Sequence, residues 1–261
     1  MLLDRFRLED KVVVVTGGGR GIGRGIALGF GEAGAKVVVA ARRRHTLDEV
    51  VSALAERGAD GLAVPTDVNE PEALDALVAQ TLERFGHIDI LVNNAGGTPP
   101  LIALQTSDET FAQAFHFNVT TAFSLSRRVI PHLLERGGCI LNISSAMSHL
   151  VDSGFVSYGT AKAALNHLTR LLAAEFAPKV RVNALAVGAV VTDALEAVTQ
   201  MASLREAMID KTPMSRLGTV DDVAAVALLL CSDAGSWVTG KVYEVDGGAV
   251  DSTWPMKIPG Y

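Results

Sequence analysis

The chain has 261 residues, 49% of them hydrophobic, and a formal net charge of −6 at pH 7. This length fits a single α/β domain, and the acidic balance argues against nucleic acid as the main partner. The longest uninterrupted apolar run, Val223–Cys231, is about half as long as a membrane span requires, and the N-terminal MLLDRFRLEDK lacks the layout of a signal peptide.

The cysteines indicate the compartment, and the spacing of the histidines bears on metal binding. Cys139 lies in a strand-like run and Cys231 ends an apolar helical run, so both are expected to be reduced thiols of the core. The six histidines show no metal-ligand spacing, so no metal site is expected. We therefore predict a cytoplasmic protein that binds a small molecule and has no membrane partner.

Short runs rich in Val and Ile alternate along the chain with longer stretches of helical periodicity. The runs predict strands at 12–15, 36–40, 61–66, 88–92, 139–143, 180–187 and 242–245, and the stretches predict helices at 21–33, 46–57, 71–86, 107–136, 158–177 and 219–232. Continuous apolar strands are typical of a parallel sheet that helices cover on both faces. The predicted fold is α/β, a single Rossmann-type doubly wound domain over 1–261 with a seven-stranded parallel sheet flanked by helices. Segment 192–217 is expected to be a substrate lid and 249–261 a C-terminal tail.

A glycine-rich turn, TGGGRGIG at Thr16–Gly23, follows the first strand and opens the first helix. Its glycines allow the backbone to approach a pyrophosphate, and the helix N-terminus adds unpaired N–H groups. GFGEAG at 29–34 has the literal G-x-G-x-x-G spacing but precedes a strand, the reverse of the dinucleotide fingerprint. A glycine turn without a ligand is the alternative for Thr16–Gly23, but its placement favours phosphate binding.

Arginines follow the second strand, where dinucleotide-binding folds place the residue that selects the cofactor. An acid here binds the adenosine ribose of NAD, whereas an arginine accommodates the 2′-phosphate of NADP. In this chain Ala41 is followed by Arg42–Arg44, and no acid occurs over 34–47. We expect Arg42, together with Arg20, to bind that phosphate. The other two arginines are expected to be solvated surface charge, and NADP(H) is the predicted cofactor.

Several motifs together resemble the short-chain dehydrogenase/reductase family. They are T-G-x-x-x-G-x-G at 16–23, N-N-A-G at 93–96 and Y-x-x-x-K at 158–162, and the resemblance runs from about Leu8 to Gly248 in the family's order. It implies hydride transfer between a nicotinamide cofactor and a carbonyl or secondary alcohol, and a homo-tetramer formed through the helices at 107–136 and 158–177. With the glycine turn and Arg42, it implies a cofactor site made of Gly17, Gly19, Arg20, Gly21, Ile22, Gly23, Arg42, Asp67, Val68, Asn94, Ala95, Gly96, Tyr158, Lys162, Gly188, Val190 and Thr192.

Tyr158 and Lys162 lie four residues apart and so share one face of a helix. Spacing alone more often marks a surface pair. Reduction of a ketone, however, needs a proton as well as a hydride, and a phenol of pKa about 10 becomes an effective acid/base near neutrality if its pKa falls by roughly three units. A neighbouring ammonium favours that fall. The resemblance accordingly makes Tyr158 the catalytic acid/base, and Lys162 the group that tunes it and binds the nicotinamide ribose.

Two further catalytic candidates accompany this pair. Ser145 lies thirteen residues before Tyr158 at the end of a strand, where a hydroxyl can donate to the substrate oxygen. Strand alternation does not choose between Ser144 and Ser145; the family separation selects Ser145, and Ser144 is expected to make a local backbone bond. Asn118 falls inside a helical run, which indicates a kink or a helix junction. The resemblance implies that it distorts the helix and holds a water in a proton relay to the lysine.

Asp67 and Val187 each leave a question open. Asp67 resembles the family residue that contacts the adenine amino group, but it is also a candidate N-cap for the helix that starts near Pro71. Val187-Gly188 stands where the family has Pro-Gly, so the loop that meets the nicotinamide carboxamide is expected to be looser.

The expected substrate side is mostly apolar. The candidate residues are Leu101, Met147, Leu150, Val151, Phe155, Val190, Leu195 and Met201. They predict an apolar ketone, hydroxysteroid-like or a 3-oxoacyl thioester. An NAD-linked dehydrogenase of the same fold and a non-catalytic NADP(H)-sensing protein are the alternatives. The tail at 254–256 is expected to cover the site of a neighbouring subunit.

Overall fold

A computed structural model describes residues 1–192, 195 and 200–256. Its seven strands form one parallel sheet in the order β3-β2-β1-β4-β5-β6-β7. The strands are β1 (Val12–Thr16), β2 (Lys36–Ala41), β3 (Gly61–Pro65), β4 (Ile90–Asn93), β5 (Gly138–Ser145), β6 (Val180–Val187) and β7 (Val242–Val245). The predicted seven-stranded parallel sheet is confirmed. Because the strand order reverses between β1 and β4, a ligand crevice is expected at the carboxyl ends of these strands.

Helices cover both faces of the sheet. In the described part of the chain they are α1 (Gly21–Glu32), α2 (Arg44–Glu56), α3 (Pro71–Phe85), α4 (Asp108–Phe115), α5 (Thr121–Arg136), α6 (Val156–Phe176), α7 (Ala202–Asp210) and α8 (Val220–Cys231). Val13 and Val15 of β1 pack with α1, α2 and α8, whereas Val12 and Val14 pack with α3, α5 and α6. Successive strand residues thus serve two cores, which explains why the strands are apolar without interruption.

The predicted helix over 107–136 is interrupted. α4 ends at Phe115, a single π-helical turn occupies His116–Thr120, and α5 follows. Asn118 lies inside this turn, so the helix junction indicated by the asparagine is confirmed. π-helical turns of this kind insert an extra residue and are frequent at functional sites.

The fourth strand begins two residues later than predicted. Asp89 is buried, and its carboxylate accepts a hydrogen bond of 2.9 Å from the backbone N–H of Val12. An apolar-run criterion includes Ile88 and Asp89 in the strand. The carboxylate instead binds the first residue of β1, and β4 starts at Ile90.

α8 positions the glycine turn through α1. A Cβ on Gly25 of α1 would lie 2.8 Å from the Cβ of Val220, so the two helices pack at a distance that only glycine allows. Thr219 and Asp222 form a capping box at the start of α8.

Both cysteines are buried free thiols, as expected, and the Cys139 Sγ lies 3.6 Å from the Cys231 carbonyl oxygen. Across the described residues, we find no helix that combines the length and the hydropathy needed to span a bilayer.

Candidate active site

A cleft of about 900 Å³ opens at the carboxyl ends of the strands. It is where open α/β sheets bind their ligands. Most of the predicted site residues line it: Gly17, Gly19, Arg20, Gly21, Ile22, Arg42, Asp67, Val68, Asn94, Ala95, Gly96, Ser145, Tyr158, Lys162, Gly188 and Thr192. Gly23, Asn118 and Val190 do not line it and act, as shown below, on the residues that do.

The glycine turn between β1 and α1 is built around close backbone contacts. Gly17 has φ +63°, a conformation that favours glycine, and a Cβ on Gly23 would lie 2.4 Å from the Gly17 carbonyl oxygen. Asn94 donates to the carbonyl oxygens of Thr16 at 2.9 Å and Gly17 at 3.2 Å. Gly23 therefore packs the turn and does not face the cleft. The cradle has the open backbone that a pyrophosphate needs at a helix N-terminus.

Three arginines lie exposed at one end of the cleft. Arg20, Arg42 and Arg43 line it, and none of them forms an ion pair with an acid in the described residues. Arg44 lies apart, with its Nε 2.8 Å from Asp48 Oδ1. Arg43 is exposed, as expected for a surface charge, but it also lines the cleft. Its backbone ends the β2–α2 turn in an extended conformation, so its side chain shares the cleft with Arg42.

Thr46 also lines the cleft and was missed by the sequence analysis. Its hydroxyl donates to the Arg43 carbonyl oxygen at 2.9 Å, and a Cβ on Gly19 would lie 2.6 Å from the same hydroxyl. A hydroxyl residue in the first turn of the helix after the second strand was the available signal.

Asp67 lies in the cleft after β3. Its Oδ1 accepts from the backbone N–H of Asn69 at 3.0 Å and from the Asn69 side chain at 2.8 Å. The N-cap of α3 is Glu70, so the N-cap alternative for Asp67 is wrong. Its second carboxylate oxygen is free to accept an amino group.

The two asparagines that end β4 have different partners. Asn94 holds the glycine turn, as described above. Asn93 is buried and donates to the Ser126 hydroxyl at 3.0 Å and to the side-chain amide oxygen of Asn142 at 2.9 Å, and the Asn142 side chain in turn donates to the Thr169 hydroxyl at 2.9 Å. This chain of amides crosses from β4 to β5 and α6. Because its donors are paired inside the core, it fixes the spacing between the sheet and α6, the helix that carries Tyr158.

Tyr158 and Lys162 meet in the cleft on the first turns of α6. The Lys162 Nζ donates to the Ile143 carbonyl oxygen at 2.9 Å and lies 5.7 Å from the centroid of the Tyr158 ring. Burial lowers the pKa of Lys162 from 10.5 to about 8. Burial also raises the pKa of Tyr158, and a hydrogen bond with Ser145 opposes that rise.

For these side chains alone, burial therefore opposes the expected fall in the Tyr158 pKa, and the fall in the complex with the oxidised cofactor stays a prediction. The phenolate loses water on burial, and the ammonium that was expected to stabilise it is directed at the Ile143 carbonyl oxygen. The raised pKa favours the protonated phenol, which is the form that donates a proton.

The two serines that end β5 have separate tasks. Ser145 lines the cleft beside Tyr158, and its hydroxyl accepts from the Met147 backbone N–H at 3.2 Å. Ser144 donates to the carbonyl oxygen of Lys162 at 3.3 Å. The expected local bond of Ser144 is therefore wrong, because its partner lies eighteen residues along the chain. This hydrogen bond joins β5, the strand that ends in Ser145, to α6, the helix that carries Tyr158.

Asn118 lies behind the cleft, next to Lys162. Its Oδ1 accepts from the Gly97 N–H at 2.8 Å, and its Nδ2 donates to the Ala114 carbonyl oxygen at 2.8 Å. A Cβ on Gly96 would lie 2.8 Å from the Asn118 Oδ1 and 3.0 Å from the Lys162 Nζ. Both side chains therefore face the Gly96 backbone. The water relay implied by the resemblance stays a prediction.

The loop after β6 is anchored to the sheet at its start, and its expected looseness stays a prediction. Val187 is buried and aligned with Ser145 and Val245 in the sheet, and the Gly188 N–H donates to the Val245 carbonyl oxygen at 3.0 Å. Val190 is also buried and pairs with Gly218 in an isolated bridge. It therefore anchors the loop from outside the cleft. Within the predicted lid, residues 193, 194 and 196–199 lie outside the described residues.

The C-terminal tail contacts its own subunit. The Trp254 ring packs edge to face on Phe155, with centroids 5.6 Å apart, and Phe155 lies 6.5 Å from the Tyr158 ring. The expected contact with a neighbouring subunit stays a prediction.

A histidine and two acids converge at the end of β7. His149, Glu244 and Asp246 place their ligand atoms within 4.8 Å of one another. His149 and Glu244 are exposed, with His149 Nε2 3.7 Å from Glu244 Oε1, and Asp246 accepts from the Gly248 N–H at 2.9 Å. These two interactions account for the approach, and we assign no ligand to the group.

Comparison with known proteins identifies the family. A family model described as enoyl-(acyl carrier protein) reductase matches residues 17–250. An uncharacterized oxidoreductase of Mycobacterium tuberculosis is 48% identical over 261 residues, which covers 99% of each chain. The 7alpha-hydroxysteroid dehydrogenase of Escherichia coli K12 is 39% identical over 250 residues, 95% of this chain and 97% of that protein.

Solved structures agree. A 7alpha-hydroxysteroid dehydrogenase complexed with NADH and 7-oxo glycochenodeoxycholic acid superposes with a TM-score of 0.92 at 38% identity, covering 96% of this chain and 98% of that one. The chain therefore belongs to the short-chain dehydrogenase/reductase family. It is an oxidoreductase that uses a nicotinamide cofactor and acts on CH–OH and C=O groups.

Proposed function

We propose that the protein is an NADP(H)-dependent reductase that converts an apolar ketone to a secondary alcohol and catalyses the reverse oxidation. Arg42 carries the proposal. It follows Ala41 at the end of β2, lies exposed in the cleft and has no acidic partner in the described residues. A 2′-phosphate dianion would pair with the positive charge of Arg42. Arg20 and Arg43 lie in the same cleft.

The relatives leave room for the opposite preference. The superposed 7alpha-hydroxysteroid dehydrogenase holds NADH. NAD-dependent members of dinucleotide folds use an acid after the second strand to bind the ribose hydroxyls. This chain has none from 34 to 47, which supports NADP(H) for this protein.

The residues of the cleft divide the chemistry between them. NADPH supplies the hydride to the carbonyl carbon. Tyr158 donates its phenolic proton to the carbonyl oxygen, so an O–H bond breaks on the tyrosine as one forms on the substrate. Ser145 donates a hydrogen bond to the same oxygen as negative charge develops. Lys162 and Asn118 adjoin the Gly96 backbone behind the phenol, and we assign them the return of a proton to Tyr158.

The cofactor assignment is tested by kcat/KM for NADPH and NADH with a panel of ketones. We expect wild type to favour NADPH. Arg42→Ala should raise KM for NADPH about 10- to 100-fold, the cost of removing a charge-assisted hydrogen bond, with a much smaller effect on NADH. Arg44→Ala is the matched control, because Arg44 is paired with Asp48. An equal loss with both cofactors, or the same loss in Arg44→Ala, would contradict the assignment.

The reaction is tested by Tyr158→Phe. We expect turnover to fall at least 100-fold, the scale of general acid catalysis, while NADPH still binds. NADPH binding in wild type without turnover of any ketone would favour the NADP(H)-sensing alternative.

A further inference from the structure

We propose that Trp254 is a specificity-determining residue, and that the C-terminal segment folds onto its own subunit to place this indole as the outer wall of the substrate site. The wall selects bulky, largely apolar ketones over small ones. The proposal rests on the proposed function and names the substrate class of the same site.

A row of three aromatic rings starts at the catalytic phenol. Phe155 immediately precedes α6 and lies three residues before Tyr158, and the two rings are inclined at 56°. Trp254 meets the other side of this row at 84° to Phe155. Tyr158 lines the cofactor cleft, whereas neither Phe155 nor Trp254 does. A substrate that is bonded to Tyr158 and extends past Phe155 would meet the indole of Trp254.

The tail is held by its backbone and not by the indole. Lys211, the residue that follows α7, donates to the carbonyl oxygens of Ser252 at 3.3 Å and Trp254 at 3.0 Å. The Ser252 side chain is buried and accepts from the Trp254 N–H at 3.1 Å. Met214 also donates to the Gly247 carbonyl oxygen at 3.1 Å. The hydrogen bonds that hold the tail do not involve the indole, so Trp254 can be substituted without releasing the tail.

The loops beside the row belong to the same wall. The Leu101 N–H donates to the Gly154 carbonyl oxygen at 2.8 Å, which ties the loop at 97–101 to the residue before Phe155. The indole Nε1 of Trp254 is buried and has no hydrogen-bond partner among the described residues. Because this nitrogen is shielded, the indole offers a ligand apolar ring surface and not a hydrogen bond, which favours a ligand with a large apolar body. A fused-ring ketone has this form.

The test compares a fused-ring ketone, the 7-oxo bile acid, with cyclohexanone, using NADPH in each case. The quantity measured is the ratio of the two kcat/KM values. We expect Trp254→Ala to lower this ratio about tenfold through KM for the large ketone, and Trp254→Phe to restore most of it, because the wall is a matter of buried apolar area. Trp237→Ala is the matched control, since Trp237, the other tryptophan, is 98% exposed. An unchanged ratio in Trp254→Ala, or an equal fall in Trp237→Ala, would overturn the proposal.

Ligand binding gives a second readout that does not depend on turnover. Trp237→Phe leaves Trp254 as the single tryptophan, and Trp254→Phe leaves Trp237. We expect the large ketone, added with the cofactor, to change the emission of the first variant and not of the second. Emission that changes without turnover would refute the proposed function and keep the wall. Turnover of the large ketone without a change in emission would refute the role of Trp254 as a wall of the substrate site and leave the proposed function in place.

Discussion

The ammonium of Lys162 is 3% exposed, and its hydrogen-bond partner is the Ile143 carbonyl oxygen. Burial lowers its pKa from 10.5 to about 8. A shift of this size corresponds to about 3 kcal/mol that disfavours the folded state while the lysine is charged. Below pH 8 the lysine is protonated in both states, so the full cost applies. Between pH 8 and 10.5 the unfolded chain binds more protons than the folded one, and this cost falls as pH rises.

Lys162→Met should therefore stabilise the protein at pH 7 and inactivate it. We expect the free energy of unfolding in urea to rise by about 1–3 kcal/mol at pH 7, because the apolar side chain removes the buried charge. The advantage over wild type should shrink between pH 8 and 10. Lys179→Met, at an exposed lysine, is the control. A variant less stable than wild type by the same amount at every pH would show that the buried charge carries no such cost.

Single residues also show what the sequence can and cannot predict about the site. Tyr158, Lys162 and Ser145 were predictable because helix periodicity, a strand end and family spacing place them. The roles of Arg43 and Thr46 were not, because the dihedral angles of the short β2–α2 turn decide which side chains face the cleft. The desolvation that raises the pKa of Tyr158 was also not predicted, because burial by tertiary neighbours has no local sequence signal.

At the scale of elements, a charged capping box begins α8, the helix that packs on α1 next to the glycine turn. Asp222 caps the helix through the Thr219 N–H at 2.7 Å and accepts two bonds from Arg216 at 2.7 and 2.8 Å. These bonds, that of Arg216 first, hold the pKa of the Asp222 carboxyl well below its usual range. The carboxylate therefore stabilises the fold above the unfolded pKa of about 4, and this stability is lost as pH falls through the lower folded pKa.

Asp222→Asn should lower the free energy of unfolding by about 1 kcal/mol at pH 7, a value kept small because the pair is partly exposed. The difference from wild type should vanish when the carboxylate is protonated in acid. Thermal unfolding from pH 7 down to pH 2 measures both, because the lowered pKa keeps most of the folded carboxylate charged at pH 3. Asp221→Asn removes the neighbouring exposed charge and serves as control. If Asp222→Asn were less stable than wild type by the same amount at low pH, the shape of the side chain, and not its charge, would account for the loss of stability.

Element boundaries were predicted where one period dominates and were wrong where a polar group has a tertiary partner. The strands β1, β2 and β6 follow their apolar runs. Asn118 indicated a junction but not its π-helical form, because that form depends on the bond from Gly97 in a different loop. Asp89 displaced the start of β4 for the same reason.

At the scale of the whole molecule, apolar side chains are exposed on α5 and α6. They include Phe123 and Leu134 on α5, and Leu171, 55% exposed, on α6. The sheet was predictable because uninterrupted apolar strands must be covered on both faces. The same reasoning extends outward, since an apolar helix face that remains exposed favours a second copy of the chain. We predict that these two helices form the subunit interface of a homo-tetramer.

Leu171→Glu should lower the mass measured by sedimentation, because it places an unpaired carboxylate where about 1.5–3 kcal/mol of apolar burial is expected. Leu104→Glu is the control, because Leu104 is equally apolar and exposed but lies outside both helices. A wild-type monomer, or an equal loss of mass in both variants, would contradict this interface. The dissociated variant also separates the two origins of the substrate wall. Since Trp254 packs on Phe155 of its own chain, a monomer should retain the preference for large ketones, whereas a wall supplied by a neighbour would be lost with it.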